Sequence, residues 1–184
     1  MSYITDTKQR ILDTIRTLGR PGTDAVIDYL NHSTFFRRGC YGHHKEFGGL
    51  AQHSIEVYDH MLAHAGGFPS DSIAVVALLH DLGKTRRRDG RGHGRRSVDI
   101  LTECGYPLTA DERTAIGRHH SHSPEAQACR LRSFLKTADC HSARTWSPAR
   151  PCRRWSSRGT TIDTRTSATC SGYQTQDRCL RLKC

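Results

Sequence analysis

The residues best suited to chemistry are an adjacent histidine and aspartate, His80 and Asp81. They follow SIAVVALL, the most apolar of the predicted helices, so we expect both side chains to be buried. A buried charge without a partner is costly, and a divalent metal ion is one partner that satisfies an imidazole nitrogen and a carboxylate together. The alternative is a core histidine beside an aspartate that ends the helix, with no ligand role.

Two further candidate ligands lie in other predicted helices. His53 is in GGLAQHSIEVY, on the preceding helix, and Asp139 ends a later helix in FLKTAD. Two histidines and two aspartates from three helices suit Mn²⁺, Fe²⁺, Mg²⁺, Co²⁺ or Zn²⁺ and leave positions open for water and substrate. The sequence therefore predicts a metal centre formed by His53, His80, Asp81 and Asp139.

The order of these ligands resembles the H…HD…D pattern of the HD-domain metal-dependent phosphohydrolases. The surrounding sequence is similar in five segments: YGHHKEFGGLAQHSIEVY, VALLHDLGKT, DGRGHGRRSVDIL, PLTADERTAIGRHH and LKTADCHSA. The resemblance extends over roughly residues 30–143. The resemblance implies a helical bundle that binds one or two divalent ions. It also implies hydrolysis of a phosphomonoester or phosphodiester, with a nucleotide favoured as substrate, by water that the metal activates.

The same resemblance assigns roles around the metal. Asp81 and Lys84 are the candidate catalytic residues, because Lys84 lies one turn beyond Asp81 and could hold a phosphate oxygen by its charge. The alternative for Lys84 is a solvated lysine at a helix end. His93 and His119, and with a weaker case His120, are expected to complete a second metal site or to contact phosphate.

A basic loop, residues 85–96, follows the His-Asp pair and is expected to face the substrate. It carries Arg86, Arg87, Arg88, Arg91, Arg95 and Arg96. Arginines beside a phosphate-hydrolysing centre suit a nucleotide or the end of a nucleic acid. Arg95 and Arg96, which are nearest to His93, are the candidate substrate-binding residues; the alternative is a solvated loop.

The remaining histidines divide into two groups. His43 and His44 precede a glycine pair and could reach the mouth of the site. The others are assigned to the surface or the core: His32, His60, His64, His122 and His141.

Helical spacing of apolar residues organises the first 143 residues, and no stretch there alternates like a strand. The first predicted helix ends at Gly19 and the second lies around Val26–Leu30. The third is Leu50–His64, and the fourth is Asp71–Leu82, with Ser70 as its N-cap and Gly83 ending it. The last three are Ser97–Cys104, a helix from the Thr109–Glu112 capping box to His119, and one from Pro124 to Asp139. We therefore expect an all-α domain of six or seven helices.

The net charge of +10 is concentrated in the C-terminal segment. Residues 144–184 carry nine Lys and Arg against two Asp and Glu, with no periodic apolar pattern, which predicts a disordered basic tail. Three interpretations of the tail compete: a nucleic-acid-binding tail, a zinc or disulfide module, and the out-of-frame end of a gene. The composition favours the last, and the cysteine spacing lacks the Cys-x-x-Cys pair of a metal knuckle.

The sequence thus predicts an N-terminal helical segment (1–29), an HD phosphohydrolase domain (30–143) and an unstructured tail (144–184). Because the tail offers no helical pattern, we expect Asp139 to be loosely held. The absence of a long apolar run argues against a membrane span, and with no secretory signal we expect a cytoplasmic protein without a membrane partner. The oligomeric state has no signature in the sequence. Two other functions compete with the hydrolase: a non-catalytic basic nucleic-acid-binding protein, and a di-iron oxygenase on an HD scaffold.

Overall fold

The computed structural model describes residues 3–40, 42–87 and 92–146, which form eight α-helices and one 3₁₀-turn. No strand occurs in these ranges, so the all-α prediction is confirmed. The helices are α1 (Tyr3–Leu18), α2 (Thr23–His32), α3 (Gly49–Ala63), α4 (Ser70–Leu79), α5 (His93–Glu103), α6 (Ala110–Arg118), α7 (Pro124–Ala128) and α8 (Arg130–Thr145), and the 3₁₀-turn is Leu82–Thr85. The predicted disordered tail lies outside the described residues beyond Trp146.

Helix α4 forms the centre of the bundle. Every residue from Ile73 to Leu79 is buried, as expected for a helix that is apolar on all sides. It packs against α1, α3 and α6. The two residues that follow it, His80 and Asp81, therefore lie inside the protein rather than at its surface.

The other contacts bring the remaining candidate ligands to the same place. Helix α3 packs on both α4 and α8, while α5 packs on the 3₁₀-turn and on α6, which also contacts α8. Because α4 ends between these neighbours, residues from α3, α5, α6 and α8 face the end of one apolar helix.

The first two helices are joined to the rest by a buried ion pair. Arg20, between α1 and α2, donates two hydrogen bonds of 2.8 Å to the carboxylate of Glu112. The same carboxylate accepts from Ser72 Oγ at 2.8 Å and from the Thr109 amide at 2.9 Å. Thr109 in turn caps α6, so the predicted capping box is confirmed, and Glu112 is fully buried.

The predicted boundaries of α4 are wrong at both ends. Pro69 occupies the N-cap position, and Ser70 is the first helical residue with its hydroxyl turned towards Asp71. The helix ends at Leu79, and Gly83 lies within the 3₁₀-turn. The amide of Gly83 donates to Ser97 Oγ at 2.8 Å, which holds the turn against α5.

Two further boundaries also differ from the prediction. Helix α5 begins at His93, so His93 lies on its first turn and not in the basic loop. The last predicted helix is two helices, because Cys129 has an extended backbone between α7 and α8 and its thiol accepts the Arg132 amide as the N-cap of α8. With this break, the described ranges contain eight helices where six or seven were expected.

The proposed segment boundaries fall inside helices. Residues 29 and 30 both belong to α2, and α8 continues past residue 143 to Thr145. Within the described ranges, no helix combines the length and the apolar character that crossing a membrane requires.

Candidate metal centre

The four predicted metal ligands meet at the end of α4. His53 Nε2 lies 3.2 Å from Asp139 Oδ1 and 3.7 Å from Asp81 Oδ2, while His80 Nε2 lies 3.5 Å from Asp81 Oδ2. All four residues are buried. Helices α3 and α8 and the two residues after α4 thus bring two imidazoles and two carboxylates into one small volume.

Hydrogen bonds orient the two histidines towards this volume. His80 Nδ1 donates to the Ala77 carbonyl at 2.9 Å, and His53 Nδ1 bonds the Ser142 hydroxyl at 3.1 Å. A proton on Nδ1 leaves the lone pair on Nε2, which is the nitrogen that faces the carboxylates. Both Nε2 atoms are buried and have no hydrogen-bond partner in the described part of the chain. Because such atoms are costly, the site fits a cation.

The electrostatics keep the ligands in the forms that bind metal. Burial alone would raise the pKa of Asp81, but His80, Lys84 and His93 outweigh burial and hold it well below its usual value. The pKa of Asp139 is also held well below its usual value, since His53 outweighs burial there. Burial lowers the pKa of His80. Anionic carboxylates and a neutral imidazole are the states that bind divalent ions.

Lys84 is anchored to one of these ligands. Its Nζ lies 2.5 Å from Asp81 Oδ2, and the side chain is only 13% exposed, so it is not the solvated lysine of the alternative interpretation. Burial would lower the pKa of Lys84, but the charge of Asp81 raises it above its usual value. The lysine is therefore a fixed positive charge beside the cluster.

A second group of histidines lies on the other side of Asp81. His93 Nε2 is 2.9 Å from His119 Nε2 and 3.0 Å from Asp81 Oδ1. His119 Nδ1 donates to the Ile116 carbonyl at 2.7 Å, which again leaves Nε2 with its lone pair. His120 is exposed, and its ligand atom lies within 4.8 Å of those of His93 and His119. Asp81 thus stands between the two groups, with one oxygen towards each.

The model of the HD domain family matches residues 50–144, more than half of the chain. The chain belongs to the HD domain family. Comparison with curated proteins gives no match, and comparison with solved structures gives none either. HD domains are metal-dependent hydrolases as a class, and the His-Asp cluster of this HD domain could hold a divalent metal ion.

A glycine allows the second histidine group to form in this HD domain. A Cβ at Gly94 would collide with the Ile116 carbonyl and would lie 3.0 Å from the ring of His119. Helices α5 and α6 can therefore approach closely enough for His93 and His119 to meet only because residue 94 has no side chain.

The arginines of the basic loop have different positions. Arg96 is half-buried, and its Nε donates to the Gly83 carbonyl at 3.2 Å, next to the His-Asp pair. Arg95 is exposed. Arg86 is paired with Glu103 on α5. Arg88 and Arg91 lie outside the described residues.

A third group of histidines lies beside His53. His43 Nδ1 and His44 Nδ1 are 2.9 Å apart, and the ring of His43 is centred 4.8 Å from that of His53. His44 is fully buried with a φ of 44°, a conformation that residues other than glycine rarely adopt. Its Nε2 lies 2.9 Å from Glu56 Oε2. These two histidines therefore lie directly beside the metal ligand His53, whereas the sequence placed them at the mouth of the site.

Two residues beside the cluster were not predicted from the sequence, and the support of a third differs from the prediction. Glu56 and Ser142 bond to each other beside His53, and each lies three residues after a predicted ligand, so helical spacing from His53 and Asp139 was the available signal. The expectation of a loosely held Asp139 is wrong. Helix α8 continues six residues beyond it to Thr145, and Asp139 is only 6% exposed.

Proposed function

We propose that the protein is a metal-dependent phosphohydrolase that cleaves a phosphomonoester or phosphodiester of a nucleotide. The supporting observation is the buried meeting of two unpartnered imidazole nitrogens with two anionic carboxylates. His53, His80, Asp81 and Asp139 would hold the ion, which is Mn²⁺, Fe²⁺, Mg²⁺, Co²⁺ or Zn²⁺. When bound, such an ion lowers the pKa of water and neutralises phosphate oxygens.

The residues around this cluster suit a phosphate ester. Among the described residues, Lys84 uses one of its three N–H donors on Asp81, which leaves the others for a phosphate oxygen. His93 and His119 lie beside the second oxygen of Asp81 and would contact a phosphate or hold a second ion. The exposed His120 lies next to them, nearer to solvent.

Arginine contacts would add affinity for the rest of the substrate. Arg96 already lies against the turn that follows the His-Asp pair, and Arg95 is exposed on the same helical turn. A guanidinium group can bond two phosphate oxygens at once, which suits a nucleotide or a terminal phosphate of a nucleic acid. We propose both residues as substrate contacts.

The test is phosphate release from a panel of mononucleotides, cyclic nucleotides and end-phosphorylated oligonucleotides, with each divalent ion in turn. We expect turnover only with metal, and Asp81→Asn to abolish it. Asp99→Asn, an exposed aspartate on α5, is the matched control and should retain activity. Undiminished turnover by Asp81→Asn would refute the proposed mechanism.

The position of Asp81 between the two histidine groups also supports a second candidate, a di-iron oxygenase. One carboxylate facing two sets of imidazoles is an arrangement that two iron ions can share. Iron-loaded protein that consumes oxygen and releases no phosphate from any member of the panel would favour this function over hydrolysis.

A further inference from the structure

We infer that Glu56, acting through Ser142, positions the metal ligand His53 and thereby sets the metal affinity of the site. The inference rests on the proposed metal centre. It assigns positioning roles to two residues that do not themselves face the cluster.

The connection is a continuous chain of hydrogen bonds between two helices. Ser142 Oγ, on α8, lies 3.1 Å from His53 Nδ1 and 2.9 Å from Glu56 Oε2, both on α3. Ser142 is 1% exposed, so water does not readily replace either partner. The three residues therefore form a relay that runs from the half-buried Glu56 to the buried ligand.

The direction of each bond follows from the chemistry of the groups. A carboxylate can only accept, so the single proton of the Ser142 hydroxyl is donated to Glu56. The hydroxyl oxygen must then accept from His53, which places the imidazole proton on Nδ1. This tautomer leaves the lone pair on Nε2, the atom that faces Asp81 and Asp139.

Glu56 is itself firmly held. Its Oε1 accepts from Gln52 Nε2 at 2.7 Å, and its Oε2 also lies 2.9 Å from Nε2 of the buried His44. Burial would raise the pKa of Glu56, but the bonds from His44, Gln52 and Ser142 outweigh burial and lower it. The acceptor at the end of the relay is therefore anionic and fixed in place.

Removing Ser142 Oγ would leave the orientation of the His53 ring unfixed. In Ser142→Ala, His53 Nδ1 loses its partner in a buried place, so neither the ring angle nor the tautomer is specified. A His53 that carries its proton on Nε2 cannot bind metal. Partners of this kind typically change metal affinity by about 10- to 100-fold.

The experiment measures Co²⁺ and Mn²⁺ binding to the full chain by calorimetry. We expect Ser142→Ala to raise the Kd by about 10- to 100-fold and to alter the visible absorption of bound Co²⁺. The matched control is Ser54→Ala. Ser54, on α3, is buried like Ser142, and among the described residues its hydroxyl bonds the Leu50 carbonyl alone, so its removal should leave both readouts unchanged.

A double-variant cycle tests whether Glu56 acts through Ser142. Glu56→Gln should weaken binding in the wild-type background and have no further effect in Ser142→Ala. Because residue 56 is half-exposed, Glu56→Gln should fold. If Ser142→Ala fails to fold, the Co²⁺ affinity of Glu56→Gln tests the positioning role by itself.

The outcomes separate the two hypotheses. Equal Co²⁺ affinity in Ser142→Ala and Ser54→Ala would overturn the positioning role while leaving the metal centre intact. An equal effect of Glu56→Gln in both backgrounds would likewise overturn it, because Glu56 would then act by another route. Failure of the wild-type chain to bind either ion would overturn the proposed function, and the inference with it.

Discussion

Replacing Glu112 by glutamine should weaken the fold in a way that depends on pH. The carboxylate is fully buried and accepts hydrogen bonds from Nη1 and Nη2 of Arg20, from Ser72 and from the Thr109 amide. Breaking a buried ion pair costs about 3–5 kcal/mol. Because Arg20 is 17% exposed and glutamine keeps part of the hydrogen bonding, we expect Glu112→Gln to lower the free energy of unfolding by about 2–3 kcal/mol.

The pH dependence gives the sharper test. Burial would raise the pKa of Glu112, but Arg20, Thr109 and Ser72 outweigh burial and hold it below the usual value of 4.5. A group whose pKa is lower in the folded state stabilises the fold above its unfolded pKa, and loses this effect as the pH falls through the folded value. The difference between wild type and Glu112→Gln should therefore be full at neutral pH and should shrink below pH 4.5.

Urea unfolding followed by circular dichroism, at neutral pH and at several acidic values, measures this difference. Glu125→Gln is the control, since Glu125 forms an exposed pair with Arg118 and its loss should not be measurable. An effect of Glu112→Gln below about 0.5 kcal/mol, or one that is independent of pH, would show that the pair does not stabilise the fold as argued.

Three other outcomes are expected. Mn²⁺ at about 100 times its Kd should stabilise the wild-type chain by about 2.7 kcal/mol, and a thermal melt of Asp139→Asn should show no such gain. Gly94→Ala should destabilise the protein by about 1–3 kcal/mol, because the new methyl group would collide with the Ile116 carbonyl of α6. It should also weaken the binding of a second ion, as measured by calorimetry. A variant as stable as the wild type would contradict the close approach of α5 and α6. Lys84→Met should raise the KM for a phosphate substrate more than it lowers kcat, and an unchanged KM would show that this lysine does not bind substrate.

Much of the fold and the ligand set could be predicted because the signals are local. Apolar residues at helical spacing, followed by Gly19, predict α1, and the capping box at Thr109 predicts the start of α6. The His-Asp pair after an apolar helix predicted a buried site. These features depend on neighbours in the sequence, so a single chain is enough to recognise them.

The features that escaped prediction depend on distant partners. The break at Cys129 uses the thiol as a helix cap, with Asp111 on another helix in contact with the sulfur. The relay from Glu56 to Ser142 joins residues 86 positions apart. Neither pairing can be identified from the sequence: helical spacing places Glu56 and Ser142 one turn from predicted ligands, but it does not show that the two side chains bond to each other.

The relay joins two helices that are far apart along the chain, and this separation has a consequence for dynamics. His53 and Ser142 are 89 residues apart in sequence, so the site exists only while α8 lies against α3. A local opening that detaches α8 removes Asp139 and Ser142 from His53 in one step. A bound ion would oppose that opening, so metal concentration would govern how often the last helix exchanges its amide protons with solvent, while helices that carry no ligand would be less affected.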